Sequence, residues 1–192
     1  TALPAAMHAA IANTASTTNV TLTNVQFVGN SAENVGALRI SGGNNASLQN
    51  VSFVSNSATT GSDGAFTINA MSGSVTLSGG GAIGNTALLR RGGGQISTVG
   101  ATLPSGPVVQ ITDWSFVGNA AQTQDIGGLS ILTDTFDANG NCQFAQLRGV
   151  RLSNVYFERN IASQARGGLR IGCSADVSLD TVDFEFNEVG GN

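Results

Sequence analysis

Apolar side chains along this chain do not recur at a single period. Between residues 20 and 30 they fall at Val20, Leu22, Val25 and Phe27, with Asn30 closing the pattern. The same eleven-residue template returns without gaps at 46–56, 75–85, 109–119, 150–160 and 177–187. Alternation at period two is strand behaviour. The three-residue step through Thr23 and Asn24 predicts a bend between two short strands. Asn30 is expected at a second bend, where an Asx side chain bonds nearby backbone and tolerates left-handed geometry.

A shorter pattern follows each of the first five copies: glycine, a small residue, an apolar residue, any residue, isoleucine. It runs from Gly36 to Ile40, Gly64 to Ile68, Gly127 to Ile131 and Gly167 to Ile171, with a weaker version from Gly92 to Ile96. It predicts a third strand, entered through glycine where the backbone turns tightly or approaches closely.

Three short strands and three bends make one coil, and equivalent residues of successive coils stack. The expected fold is all-β, a right-handed single-stranded parallel β-helix (a pectin-lyase-like solenoid) of about six coils, in which each coil touches only its neighbours. Phe27, Phe53, Phe116, Phe157 and Phe184 should form an internal column, interrupted by Ala82. Asn30, Asn56, Asn85, Asn119, Asn160 and Asn187 should form a ladder at one corner, each amide satisfying the next. Both sets have a packing reason to exist. At the third coil Gly80 and Ala82 replace large residues, and Leu88 and Leu89 are the candidates to fold in and compensate.

Residues 1–19 admit two readings. Ala5 to Ala9 align with Gly36 to Ile40, as the remnant of a preceding coil. Alternatively Leu3, Met7 and Ile11 form the stripe of an amphipathic cap helix after Pro4. Residues 20–192 form the solenoid. With no initiator Met and a last repeat that breaks off at Gly190, the sequence reads as a segment of a longer solenoid. Neighbouring domains or chains are then expected at the open coil ends.

Composition narrows the function. Glycine is abundant at 26 residues, charged residues make up only 10%, and net charge is −4. The basic residues are all arginine and form no stripe along the sequence, which disfavours nucleic acid. No apolar run approaches the ~20 residues of a membrane span. Cys142 and Cys173 follow the third strands of consecutive coils, so a disulfide is favoured over two thiols, implying an oxidising, extracellular or cell-surface compartment. Candidate N-glycosylation sequons begin at Asn19, Asn45 and Asn50. In a chain this rich in Asn, Ser and Thr, unmodified asparagines are at least as good a reading.

Two longer connections, 97–107 and 132–149, fall at the same corner of adjacent coils. They read equally as projecting binding loops or as tolerated drift. The second carries Asp134, Asp137, Asn139 and Asn141 around Gly140 but lacks the acidic first and twelfth ligands of a calcium loop. The outward columns, such as Thr21 with its equivalents or Arg39, Thr67, Gln95, Ser130 and Arg170, hold no paired acids spaced for glycoside hydrolysis. Glu158 and Glu185 are the best acidic candidates, with Arg159 beside them to neutralise charge. His8 is the sole histidine, so a Ser–His–Asp set and a zinc-type cluster are not expected, nor is a cofactor.

The Phe-x-x-Asn element of Phe27 to Asn30 and Phe116 to Asn119, followed by Gly-Gly or Gly-Ala and aliphatics, resembles the repeat of the polymorphic outer-membrane proteins. The resemblance spans residues 20–192. It implies a β-helical, surface-exposed, adhesive and non-enzymatic role, part of a larger surface or filament protein, with glycans among its expected partners. The competing expectation is a carbohydrate-binding or carbohydrate-cleaving β-helix, a polysaccharide lyase or hydrolase.

Overall fold

The computed structural model describes residues 9–12, 18–69, 72–98, 107–133, 142, 149–174 and 176–190. Every regular element among them is a β-strand, and every strand pairing is parallel. The strands form three sheets.

The long sheet is built from the eleven-residue templates. In the first two copies each template gives two short strands, Val20–Thr23 with Gln26–Val28, and Ala46–Gln49 with Ser52–Val54. The later copies run continuously as Val75–Ile83, Pro107–Val117, Gly149–Glu158 and Asp176–Glu185. The bend is present in all six. Asn24, Asn50, Gly79, Asp113, Asn154 and Thr181 occupy it with φ of 57, 51, 59, 52, 53 and 52°. Asn and Asp are the side chains that best tolerate this left-handed geometry outside glycine. Both halves of the template therefore belong to one sheet and do not form two separate ones.

The narrow sheet has two-residue strands, Ser31–Ala32, Ser57–Ala58, Thr86–Ala87, Ala120–Ala121, Ile161–Ala162 and Glu188–Val189, each directly after a ladder asparagine. The sequence pattern gives no sign of it. The second bend also differs from expectation. The left-handed residue precedes the asparagine, at Gly29, Ser55, Gly84, Gly118, Arg159 and Phe186, and the asparagine itself is free to point inward.

The return sheet contains the glycine-entered strands Leu38–Ser41, Phe66–Asn69, Gly94–Ser97, Leu129–Leu132 and Leu169–Gly172, with Ala9–Ala12 at its edge. Glycine is required at the entry. A Cβ on Gly36 would lie 1.9 Å from the carbonyl oxygen of Gly64 one coil away. Ala9–Ala12 pairs with Leu38–Ser41, placing Ile11 opposite Ile40, two residues away from the alignment read off the sequence. Of the alternative helical stripe, Ile11 lies in this strand, whereas Leu3 and Met7, like His8, lie outside the described residues.

Register is kept across all six templates. Phe27 pairs with Phe53, Phe53 with Ala82, Ala82 with Phe116, Phe116 with Phe157 and Phe157 with Phe184. The rings of Phe27 and Phe53, of Phe116 and Phe157, and of Phe157 and Phe184 stack with centroids 5.0 Å apart. That spacing follows the roughly 4.8 Å between neighbouring strands.

Leu88 and Leu89, the expected compensation for the small residues of the third copy, both stay only partly buried. Phe66, in the return strand of the preceding copy, packs against Phe53 with ring centroids 5.1 Å apart, and its ring leaves no room for a side chain at Gly94. From the following copy Trp114, 2% exposed, lies over Gly80. Gly80 and Gly94 are thus each faced by a large side chain from a neighbouring copy.

Candidate functional site

The asparagine ladder is complete through the stack. At Asn56, Asn85, Asn119 and Asn160 the side-chain amide donates to the Oδ1 of the next asparagine and to the backbone carbonyl of residue 27, 53, 82 or 116, at 2.8–3.0 Å. Each Oδ1 from Asn56 to Asn187 also accepts the backbone N–H of the preceding asparagine. All rungs but the last are buried. A network satisfied this fully rigidifies the corner it occupies.

The ladder has a direction, and its two ends differ. Asn30 Oδ1 is buried and, among the described residues, accepts no hydrogen bond. At the other end Asn187 donates its amide to the Phe157 carbonyl. The last rung is also uncovered. Phe184 is 50% exposed, against 0% for Phe157 beneath it, and Val177, Leu179 and Val189 are exposed as well. Phe186 is 71% exposed, with the Arg159 guanidinium 5.8 Å from its ring centre. The strand Asp176–Glu185 and its continuation to Glu188 carry five carboxylates and no cation.

Glu158 and Glu185 do pair across neighbouring strands, yet each has a local partner. Glu158 forms an ion pair with Arg159. Glu185 Oε2 accepts the Tyr156 hydroxyl at 2.7 Å. Among the described residues no three acidic, histidine or cysteine side chains group as metal ligands.

Cys142 and Cys173 form a disulfide, with Cα atoms 5.1 Å apart and a sequence separation of 31. The bond is a feature of oxidising compartments. Among the described residues no helix is long and apolar enough to cross a membrane. The two longer connections lie largely outside the described residues, including Asp134, Asp137, Asn139 and Asn141.

The sequon asparagines are partly engaged. Asn45 donates its amide to Asn19 Oδ1 at 3.0 Å and accepts from Ser74, and Asn50 donates to Asn24 Oδ1 at 3.0 Å. A glycan on Asn45 or Asn50 would take one of the two hydrogens of the amide nitrogen that makes these donor bonds and leave the other to hold them.

A polar cleft of about 340 Å³ lies over the first return strands. Its floor is an ion pair, Arg91 Nη1 to Asp63 Oδ1 at 3.2 Å, with the two side chains 10% and 5% exposed. Asp63 Oδ2 accepts the Thr67 hydroxyl at 2.5 Å, and Arg91 Nη1 donates to Gln95 Oε1. Burial pushes the Asp63 carboxyl above the ordinary carboxylate range, against the pull of Arg91 and the Thr67 hydroxyl. The same burial pushes the Arg91 guanidinium down, and Asp63 opposes it. Removing either member alone strands a buried charge, at a cost of about 3–5 kcal/mol.

Asp63 and Arg91 were missed as candidates because they lie outside the outward columns. Both immediately precede the entry glycines Gly64 and Gly92, in a column with Val35, Ile126 and Arg166. Aligning the residue before each glycine would have shown an acid stacked on a base in an otherwise largely apolar file. The column taken as outward is partly buried: Thr67, whose hydroxyl binds Asp63, and Ser130 are buried, whereas Arg39 is exposed.

The chain matches no protein-family model, no curated protein and no solved structure.

Proposed function

We propose that this chain is a non-enzymatic, structural or adhesive segment of a larger extracellular surface or filament protein, wound as a right-handed single-stranded parallel β-helix of about six coils. The observation that carries the reading is the repetition itself: three parallel sheets are held in register by a buried asparagine ladder and a phenylalanine column, which makes a rigid, extended stack suited to a structural or adhesive part. The disulfide supports an oxidising location.

The test has two arms. Antibody raised against the folded chain should label intact, unpermeabilised source cells or their shed filaments. A screen of purified chain against acidic and neutral polysaccharides should release no product. Label confined to permeabilised cells would remove the surface role. Product that disappears in Glu158→Gln or Glu185→Gln would make the chain an enzyme.

A second reading, a carbohydrate-binding or carbohydrate-cleaving solenoid, is favoured by one observation, the polar cleft floored by Asp63 and Arg91.

A further inference from the structure

The arginines that look scattered along the sequence converge in the fold. Arg39 lines the cleft, and the fields of Arg39 and Arg90 act on Asp63. Those of Arg90 and Arg170 act on Arg91, with Asp125 opposing them. Of the charged groups, Arg39 and Arg91 line the cleft with one carboxylate, Asp63, which leaves one positive charge in excess there in a chain whose net charge is −4. The acids, by contrast, concentrate at the far end of the long sheet.

From this we infer that the cleft over the return sheet is a binding site for an acidic polysaccharide. The inference rests on the carbohydrate-binding half of the second reading and names its ligand class. Arg39 is the gripping residue. Its Nε donates to Ser41 Oγ at 3.2 Å, which fixes the head group while it remains exposed. A guanidinium held this way presents its remaining donors to a sulfate or carboxylate as a planar fork. Arg91 forms the second contact and is a positioned one, since Asp63 and Gln95 fix its Nη1.

The other lining groups suit sugar hydroxyls: Asn34, Ser62 and Gln95 bring side-chain amides and a hydroxyl to the cleft and are not buried. Among the described residues no aromatic side chain lines the cleft to stack a base. The strip also repeats: Arg39, Thr67, Gln95, Ser130 and Arg170 occupy one register position on five successive strands. Successive rows about 4.8 Å apart suit an extended chain lying across the strands better than a single small ion.

The experiment is affinity electrophoresis and titration calorimetry at low ionic strength. The probes are heparin, polygalacturonate, neutral dextran and duplex DNA. The variants are Arg39→Ala, the paired Asp63→Asn/Arg91→Gln, and Arg151→Ala as an equal charge change on the long sheet. Circular dichroism checks that each is folded, and Arg39→Ala keeps the test open if the buried pair does not tolerate change. Heparin, polygalacturonate or both should bind, and which of them binds separates sulfate from carboxylate recognition. Arg39→Ala should weaken that binding about tenfold, as expected for a lost charged hydrogen bond. Arg151→Ala should weaken it less than about twofold. Equal losses in Arg39→Ala and Arg151→Ala would leave carbohydrate binding standing but remove it from this cleft. Failure of both acidic polysaccharides to bind would overturn the inference, and the binding half of the second reading would fall with it only if dextran also failed to bind. DNA or dextran binding as tightly as the acidic chains would overturn the assignment of ligand class.

Discussion

The ring of Trp114 occupies the space that any side chain at Gly80 would need. A Cβ built on Gly80 would meet the ring carbons of Trp114 at 2.7 and 2.8 Å. The two residues face each other on paired strands, so the bulk missing from one copy of the template is supplied by the next.

This gives a graded expectation for Trp114. Trp114→Ala should cost about 3–5 kcal/mol, the usual range for an aromatic removed from a packed core. Trp114→Phe should cost less than about 2 kcal/mol. It keeps most of the ring and removes Nε1, a buried donor with no acceptor. Urea unfolding monitored by far-ultraviolet dichroism measures both. Equal losses in the two variants would mean that the indole does not fill the gap.

The ladder predicts a dependence on position. Asn119→Ala should cost more than about 3 kcal/mol, because it removes the partners of the buried Asn85 N–H, the Asn85 amide and the Ala82 carbonyl. Asn187→Ala, at the uncovered rung where water can substitute, should cost less than about 1.5 kcal/mol. The comparison uses the same substitution in the same unfolding assay. Similar costs at both sites would show that the amides contribute through something other than burial.

Much of this was legible in the sequence. The Phe-x-x-Asn spacing set the register, because phenylalanine and asparagine are large, distinct markers that recur once per coil. Where markers were lacking, the reading slipped. The alanine-rich stretch before residue 13 offers only Ile11 as a landmark, and its register was read two positions off. Two-residue strands such as Ser57–Ala58 are too short to show any alternation. Asp63 and Arg91 were overlooked since charged residues are expected outside. Their burial follows from pairing across 28 residues of sequence, which no local pattern reveals.

Tyr156 gives a prediction in pH. Its hydroxyl donates to Glu185, and that bond, with lesser contributions from burial and the nearby carboxylates, pushes its pKa up to about 12. A raised phenol pKa means that the folded state holds its proton through the ordinary range near 10. The contribution to stability is full below about 10 and is lost as pH rises through about 12. As the chain has a single tyrosine, tyrosinate absorbance follows this group alone. Glu185→Gln should move the midpoint down toward 10. An unchanged midpoint in that variant would mean that the hydrogen bond is not formed in solution.

The stacking itself can be measured as a distance. Thr21 and Ser178 occupy the same register position on the first and last templates, five strand steps apart. At about 4.8 Å per step their backbones should be roughly 24 Å apart. Spin labels on cysteines placed at these two positions, in a chain that keeps its native disulfide, report that separation by pulsed electron resonance. One narrow distribution near this value, after allowing for the label arms, is the predicted result. A broad distribution, or one centred beyond about 40 Å, would contradict six templates stacked in register.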